Sequence, residues 1–318
     1  MTALAHRPER EPARVRSSNV PAYHRSRSAR REHWFYLFIA PWLAGFVVFA
    51  LVPIAATAVF SFTRYNMVSA PHWIGLDNYK ALFSAGSTFV HSAEVTALYV
   101  FVSVPLQLCA GVIVAVLLNH RVPAMGLLRA LFYLPSVIPQ VSMSILWLFV
   151  FMPNFGLLSA GLAYGAHLRS PSWLGDPQLV MWVFVVISLW GTGNAVVLFL
   201  AGLQGIPRER YEAAALDGAN TVQAFVHVSL PGLAGVILFN AVLGLVNAVQ
   251  LFVPVYIMTD GGPGNTSFVL NLNIFRTAFD YSEMGLASAE AWILFIGTAM
   301  VVAGVFALAR RWVNVEGG

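Results

Sequence analysis

The segment Gln204–Pro231, QGIPRERYEAAALDGANTVQAFVHVSLP, decides how the rest of the chain is read. Pro207 suits the first position of a helix. Glu209 and Glu212 follow where acidic groups favour the helix dipole, and Ala213, Ala214 and Ala215 are strong helix formers. Gly218 offers a left-handed stop. Asn220, with Gln223 three residues on, caps a second short helix, and Leu230-Pro231 ends it. The spacing therefore predicts two short helices meeting at a glycine corner. On either side lie residues 177–207 and 228–259, which carry no charge. A helix pair between two such runs protrudes from a membrane as a rigid element whose small residues can enter a groove on another protein. An amphipathic helix lying on the membrane surface would use the same residues, and the segment alone does not separate the two.

Outward from this segment the chain keeps the same character. Of its 318 residues 58% are hydrophobic and 10% charged, against roughly 45–50% and 25% in soluble domains. Residues 34–63, 95–119, 130–166 and 291–309 are further uncharged runs. About 20 apolar residues at 1.5 Å each cross a hydrocarbon core of about 30 Å. Six transmembrane helices are expected, near 35–61, 93–118, 130–152, 179–202, 233–257 and 290–310. Continuous apolar runs exclude barrel strands, which alternate. Pro41, Pro53, Pro105, Pro135, Pro139 and Pro254 fall inside these runs, which predicts kinks. The fold class is an all-α membrane bundle: a basic, disordered tail over 1–33, one six-helix domain over 34–312 and a short tail over 313–318. With both termini on one side, that side holds fourteen of the eighteen Arg and Lys residues. The positive-inside rule makes it the cytoplasmic side. The loops at 119–129 and 203–232 are then cytoplasmic, and those at 64–89, 153–178 and 259–288 external.

Several functions are excluded or disfavoured. The single Cys109 cannot form an intramolecular disulfide, and no histidine pair has metal-ligand spacing. Eight Arg in the first 33 residues, beside an apolar run, read as a topology signal rather than a nucleic-acid arm. A Walker A loop needs Lys after Gly, yet the only lysine, Lys80, follows Tyr79. No catalytic, cofactor or metal residues are assigned. Glu94 and Glu290 sit at the edges of apolar runs and read as boundary residues rather than proton relays.

Polar residues inside the runs mark a candidate path. Ile187, Trp190, Gly191 and Asn194 have the spacing of one helix face, combining an indole surface, space and an amide that donates and accepts. Gly244, Asn247, Ala248 and Leu251 repeat the spacing in the next run, with Asn240 and Gln250 nearby. Gln140, Ser142 and Ser144 are weaker candidates. Helix packing would use the same residue types. An uncharged polar lining suits a neutral polyol better than a phosphate.

The order Glu212-Ala213-Ala214, three residues, Gly218, nine residues, Val228-Ser229-Leu230-Pro231 resembles the EAA loop of bacterial ABC importer permeases, with Val228 at a usual Ile. Trp73-Ile74-Gly75-Leu76-Asp77-Asn78-Tyr79 and Arg129-Ala130-Leu131-Phe132-Tyr133-Leu134-Pro135 are similar to segments of sugar permeases. Thr259-Asp260-Gly261-Gly262-Pro263-Gly264-Asn265-Thr266 resembles the external glycine-proline loop of maltose-type subunits, and Gly285-Leu286-Ala287-Ser288-Ala289 fits too. The maltose subunit's additional N-terminal spans and large external domain are missing. The resemblance implies the type I ABC importer permease fold. It assigns ATPase coupling to Glu212, Ala213, Ala214, Asp217, Gly218, Leu230 and Pro231. The implied partners are a second homologous permease, two ATPase subunits that use ATP, and an extracytoplasmic substrate-binding protein. It places Trp190, Gly191, Asn194, Gly244, Asn247, Gln250 and Leu251 where such permeases line their sugar site. A glycerol 3-phosphate importer is the alternative; a stand-alone secondary carrier fits the EAA loop poorly.

Overall fold

The computed structural model describes residues 28–120, 124–153, 155–165 and 170–313, with the backbone alone at 28–35, 163–165 and 311–313. The expected tails lie outside the described residues over 1–27 and 314–318. Four helices are long and apolar enough to cross a bilayer: Tyr36–Phe60, Thr88–Leu118, Ala234–Met258 and Met284–Arg310. Two bent pairs bring the number to six when each pair counts as one span. They are Met125–Val137 with Gln140–Phe151, bent by 102°, and Val180–Trp190 with Gly193–Gly205, bent by 47°. By its contacts the chain divides into Met1–Ala55 and Ala56–Gly318. The described part of the first unit is helical, with Pro41 inside Ser28–Phe46 and a π turn at Val47–Leu51.

The expected spans differ from the observed ones where proline or tertiary contact intervenes. The third was expected as one helix over 130–152. It begins at Met125, tightens to a 3₁₀ turn at Leu134–Val137 and breaks at Ile138. Ile138 is extended, at φ −71° and ψ 128°, because Pro139 disfavours the helical region for the residue before it. The fifth was expected unbroken over 233–257. Its helix Ala234–Val249 stops, and Val253–Met258 restarts with Pro254 in its first turn. Pro254 has no N–H for the carbonyl of Gln250. The second span starts at Thr88, capped by the Ser87 hydroxyl accepting from the Phe89 N–H, and the sixth starts at Met284. Glu94 and Glu290 are therefore inside helices and not at their boundaries. The stretch 259–288 is also more than a loop. It holds the helix Leu270–Phe275 and the π turn Arg276–Asp280, with Leu270, Leu272, Asn273, Thr277 and Ala278 buried.

The interior packs as membrane helices do, with small residues letting backbones approach. One apolar cluster gathers Tyr99, Phe151, Phe184, Val255 and Phe268. A second, towards the Gln204–Pro231 end, gathers Val112, Phe199, Leu203 and Leu233. Leu82, Phe89, Leu270 and Ala289 form a third. Beyond the first span, Thr63–Arg64 and His72–Trp73 pair as a short antiparallel ribbon. The buried Asn78 donates its amide to the carbonyls of Ser61 and Thr63, both at 2.9 Å. Those bonds give the Trp73–Tyr79 segment its place.

Candidate functional site

The three broken spans meet around one cavity of about 300 Å³. Exposed backbone at membrane depth is tolerated where it lines a cavity. Here the breaks at Pro135–Pro139, at Gly191–Thr192 and at Gln250–Phe252 all approach the same space. Gly193 brings two of them together: a Cβ there would stand 2.6 Å from the carbonyl oxygen of Phe132 and 3.1 Å from the Tyr133 Cα. The lining includes five carboxamides, on Gln107, Gln140, Asn194, Asn247 and Gln250, with Tyr99, Phe184 and Phe252 as ring surfaces. No Asp, Glu, Lys or Arg lines it. Asn194 Oδ1 accepts from the Ser136 hydroxyl at 3.4 Å. Each amide offers two donors and two lone pairs, a set that matches hydroxyl groups and gives no fixed charge to an ion.

Of the path residues expected from sequence, the cavity brings together Gly191, Asn194, Asn247, Gln250 and Leu251. Trp190 and Gly244 are not among its lining. Trp190 turns to an apolar cleft with Val114 and Leu131 and stands edge-on to Trp147, ring centroids 5.5 Å apart. On this helix the cavity face is that of Phe184, Ile187, Ser188 and Gly191, and at 100° per residue Trp190 falls to its side. Gly244 faces the second span, where an added Cβ would meet Val104 at 3.6 Å. Of the weaker candidates, Gln140 lines the cavity. Ser142 is exposed, and Ser144 is buried with its hydroxyl on the Gln140 carbonyl at 2.7 Å. Tyr99, Gln107 and Ser188 were not anticipated. Pro139 and Pro254 were the available signal for the breaks that face them.

The segment Gln204–Pro231 forms the expected two-helix elbow. Arg208–Leu216 is its first helix, with Pro207 one position earlier than expected, at the N-cap. The helix ends in a Schellman arrangement. The Gly218 N–H donates to the Ala215 carbonyl at 3.1 Å and the Ala219 N–H to that of Ala214 at 2.9 Å. Gly218 has φ +77°, which glycine adopts without the steric cost of a Cβ. Asn220 and Gln223 form the capping box, with bonds of 2.8 and 2.9 Å. Tyr211 and Ser229 join hydroxyls at 2.9 Å and brace one arm against the other.

Leu230-Pro231 does not end the second arm, as had been expected. The arm passes through a π turn at Phe225–Ser229 into Leu230–Gly232 and then Ala234–Val249, and only Leu233 leaves the helical pattern. The widened turn before Pro231 accommodates the missing donor. Glu212, Ala213, Asp217 and Gly218 are exposed, Ala214 and Pro231 half-buried. Leu216 is 90% and Val222 70% exposed, so the corner presents apolar side chains with no covering among the described residues. Arg129 donates to the Leu118 carbonyl at 3.1 Å and ties the third span to the end of the second beside this elbow.

Comparison with known proteins agrees with this architecture. Residues 107–314 match the family model described as binding-protein-dependent transport system inner membrane component. A probable ABC transporter permease protein of Bacillus subtilis, YesP, is 37% identical, covering 94% of this chain and 98% of that one. The probable starch degradation products transport system permease AmyD of Thermoanaerobacterium thermosulfurigenes is 31% identical over 89% of this chain and 96% of its own. The trehalose/maltose transport system permease MalF of Thermococcus litoralis is 32% identical over 82% and 88%. In the crystal structure of a bacterial ABC transporter that imports the acidic polysaccharide alginate, one chain superposes with a TM-score of 0.79. It is 20% identical and covers 89% of this chain and 96% of that chain. This last likeness shows the fold.

Proposed function

The chain belongs to the family of binding-protein-dependent transport system inner membrane components, and from that premise we propose that its cargo is a neutral saccharide. It is a multi-pass permease subunit of an ABC importer, a transport component and not an enzyme. The observation that carries the choice of cargo is the cavity, with five carboxamides, three aromatic rings and no charged side chain on its walls. Hydroxyl-rich neutral ligands satisfy amides from several sides, and ring C–H faces pack on aromatic surfaces. Glycerol 3-phosphate would call for a basic group, which this lining lacks. The sugar transport roles of the relatives in Thermoanaerobacterium and Thermococcus support the same choice.

In this reading the path is completed by a second, homologous permease. A binding protein delivers cargo at the end of the spans away from the elbow. Two separate ATPase subunits grip the elbows, with both termini of this chain on their side of the membrane. Glu212, Ala213, Ala214, Asp217 and Gly218 form the gripped corner, and Leu230 and Pro231 the joint behind it. Asn194, Asn247 and Gln250 bind cargo hydroxyls beside Gly191 and Leu251. ATP is used by the partner subunits, and the chain itself carries no cofactor. The test is uptake by the reconstituted complex of a panel of labelled neutral saccharides, a uronic-acid oligosaccharide and glycerol 3-phosphate. Accumulation of a neutral saccharide alone is the expected result. Accumulation of only the charged compounds would refute the assignment.

A further inference from the structure

The fifth span gives up its helical ladder at Gln250–Phe252, where three cavity-lining side chains leave the backbone. That break frees the carbonyl of Val249, and the Asn271 side chain donates to it at 3.0 Å. Asn271 belongs to the short helix Leu270–Phe275. Asn273 stands two residues on, and residues two apart on a helix point to roughly opposite sides. One amide of this helix therefore meets the broken fifth span while the other meets the sixth. Asn273 is 1% exposed. It accepts from the Thr88 hydroxyl at 2.8 Å and donates to Glu290 Oε1 at 2.9 Å. Thr277 donates to the same oxygen at 3.4 Å. The helix is pinned at its start as well, its Leu270 N–H donating to the Thr96 hydroxyl at 2.8 Å.

Glu290 is 2% exposed, and its second oxygen has no partner among the described residues. Neither of its protein partners is a cation, so what it contributes here is a hydrogen-bond acceptor. A buried carboxyl is costly to keep for bulk alone, since an apolar side chain would fill the space without an unmet oxygen.

We infer that Asn271 and Glu290 are positioning residues for the substrate cavity, linked through the helix Leu270–Phe275. Glu290 fixes Asn273 and so the rotation of that helix. Asn271, on its opposite side, holds the Val249 carbonyl and so the place from which Gln250, Leu251 and Phe252 reach the cavity. This inference rests on reading the cavity as the cargo path.

The experiment measures initial uptake rates against cargo concentration for the reconstituted complex with Asn271→Leu, Glu290→Met, Glu290→Gln and, on the opposite wall, Asn194→Leu. Asn271→Leu and Glu290→Met should raise KM about three- to tenfold, the range for one lost hydrogen bond, with kcat within about twofold. Glu290→Gln keeps the acceptor and should stay near wild type, which a role depending on charge would not allow. Should Glu290→Met fail to assemble with the ATPase, Asn271→Leu decides. An unchanged KM in Asn271→Leu, with Asn194→Leu raised, overturns the linkage alone. An unchanged KM in both removes the cavity reading and the linkage with it. Glu290→Gln as impaired as Glu290→Met also overturns it.

Discussion

Gly218 offers a prediction in which backbone conformation and side-chain size point in opposite directions. Its φ of +77° lies in the left-handed region, and a Cβ built there has nothing within 4 Å. Substitution at this corner therefore meets no obstacle inside the chain, and its cost is conformational. An ordinary L-residue pays about 1–2 kcal/mol in that region, equivalent to roughly five- to thirtyfold in an equilibrium. Asparagine tolerates it better than alanine although it is larger, and a β-branched residue tolerates it worst. If the corner must keep its Schellman geometry to seat in the ATPase, the order should be Gly, then Asn, then Ala, then Val. The assay is retention of the ATPase on the tagged permease over a range of ATPase concentrations, with uptake measured in parallel. Ala should shift half-saturation at least about fivefold and Asn less. The result that would falsify this reasoning is Ala outperforming Asn. The volume inside the partner's groove, and not the backbone, would then set the limit.

Three further outcomes follow from the geometry. Glu212→Ala, which removes an exposed carboxylate with no ion pair among the described residues, should leave the chain's own thermal stability within about 0.5 kcal/mol. It should nevertheless abolish uptake, because truncating one partner of a buried interfacial pair costs roughly 2–5 kcal/mol; normal uptake would show that Glu212 is not buried by a partner. Gly193→Val should lower the melting temperature of the purified complex and raise KM, because overpacking against the Phe132–Tyr133 backbone costs about 1–3 kcal/mol; intact melting and KM would mean that the two spans separate freely. Trp190→Ala should lower thermal stability, by loss of the Trp147 contact, while leaving KM within about twofold; a large rise in KM with unchanged stability would return the indole to the path.

What the sequence made legible was local. The Asn220–Gln223 box, the Gly218 corner and the apolar lengths all depend on residues within a few positions of one another. The breaks were announced by Pro135, Pro139 and Pro254, but their consequence was not, since proline marks where a helix fails and not the direction it takes afterwards. The spacing from Ile187 put Trp190 on the same face, but the cavity meets the face of Phe184, Ser188 and Gly191 and leaves the indole to its side. Glu290 read as an edge residue because a charge ended an uncharged run. Its acceptor role depends on Asn273, seventeen positions away, and no local pattern announces that pairing. Tyr99 and Gln107 joined the cavity for the same reason, as members of a long span whose relevant face is chosen by the breaks opposite.

The continuity of the second elbow arm has a mechanical consequence. From Thr221 to Val249 the backbone stays helical but for Leu233, a contour of roughly 40 Å at 1.5 Å per residue. A pushrod of that length resists compression, so a shove delivered at the Asn220 end is not absorbed on the way. Its one position outside the helical pattern is Leu233, two residues after Pro231. The far tip of the rod is the place where Gln250 leaves the helix, so the elbow and the amides of the cavity are the two ends of one stiff element.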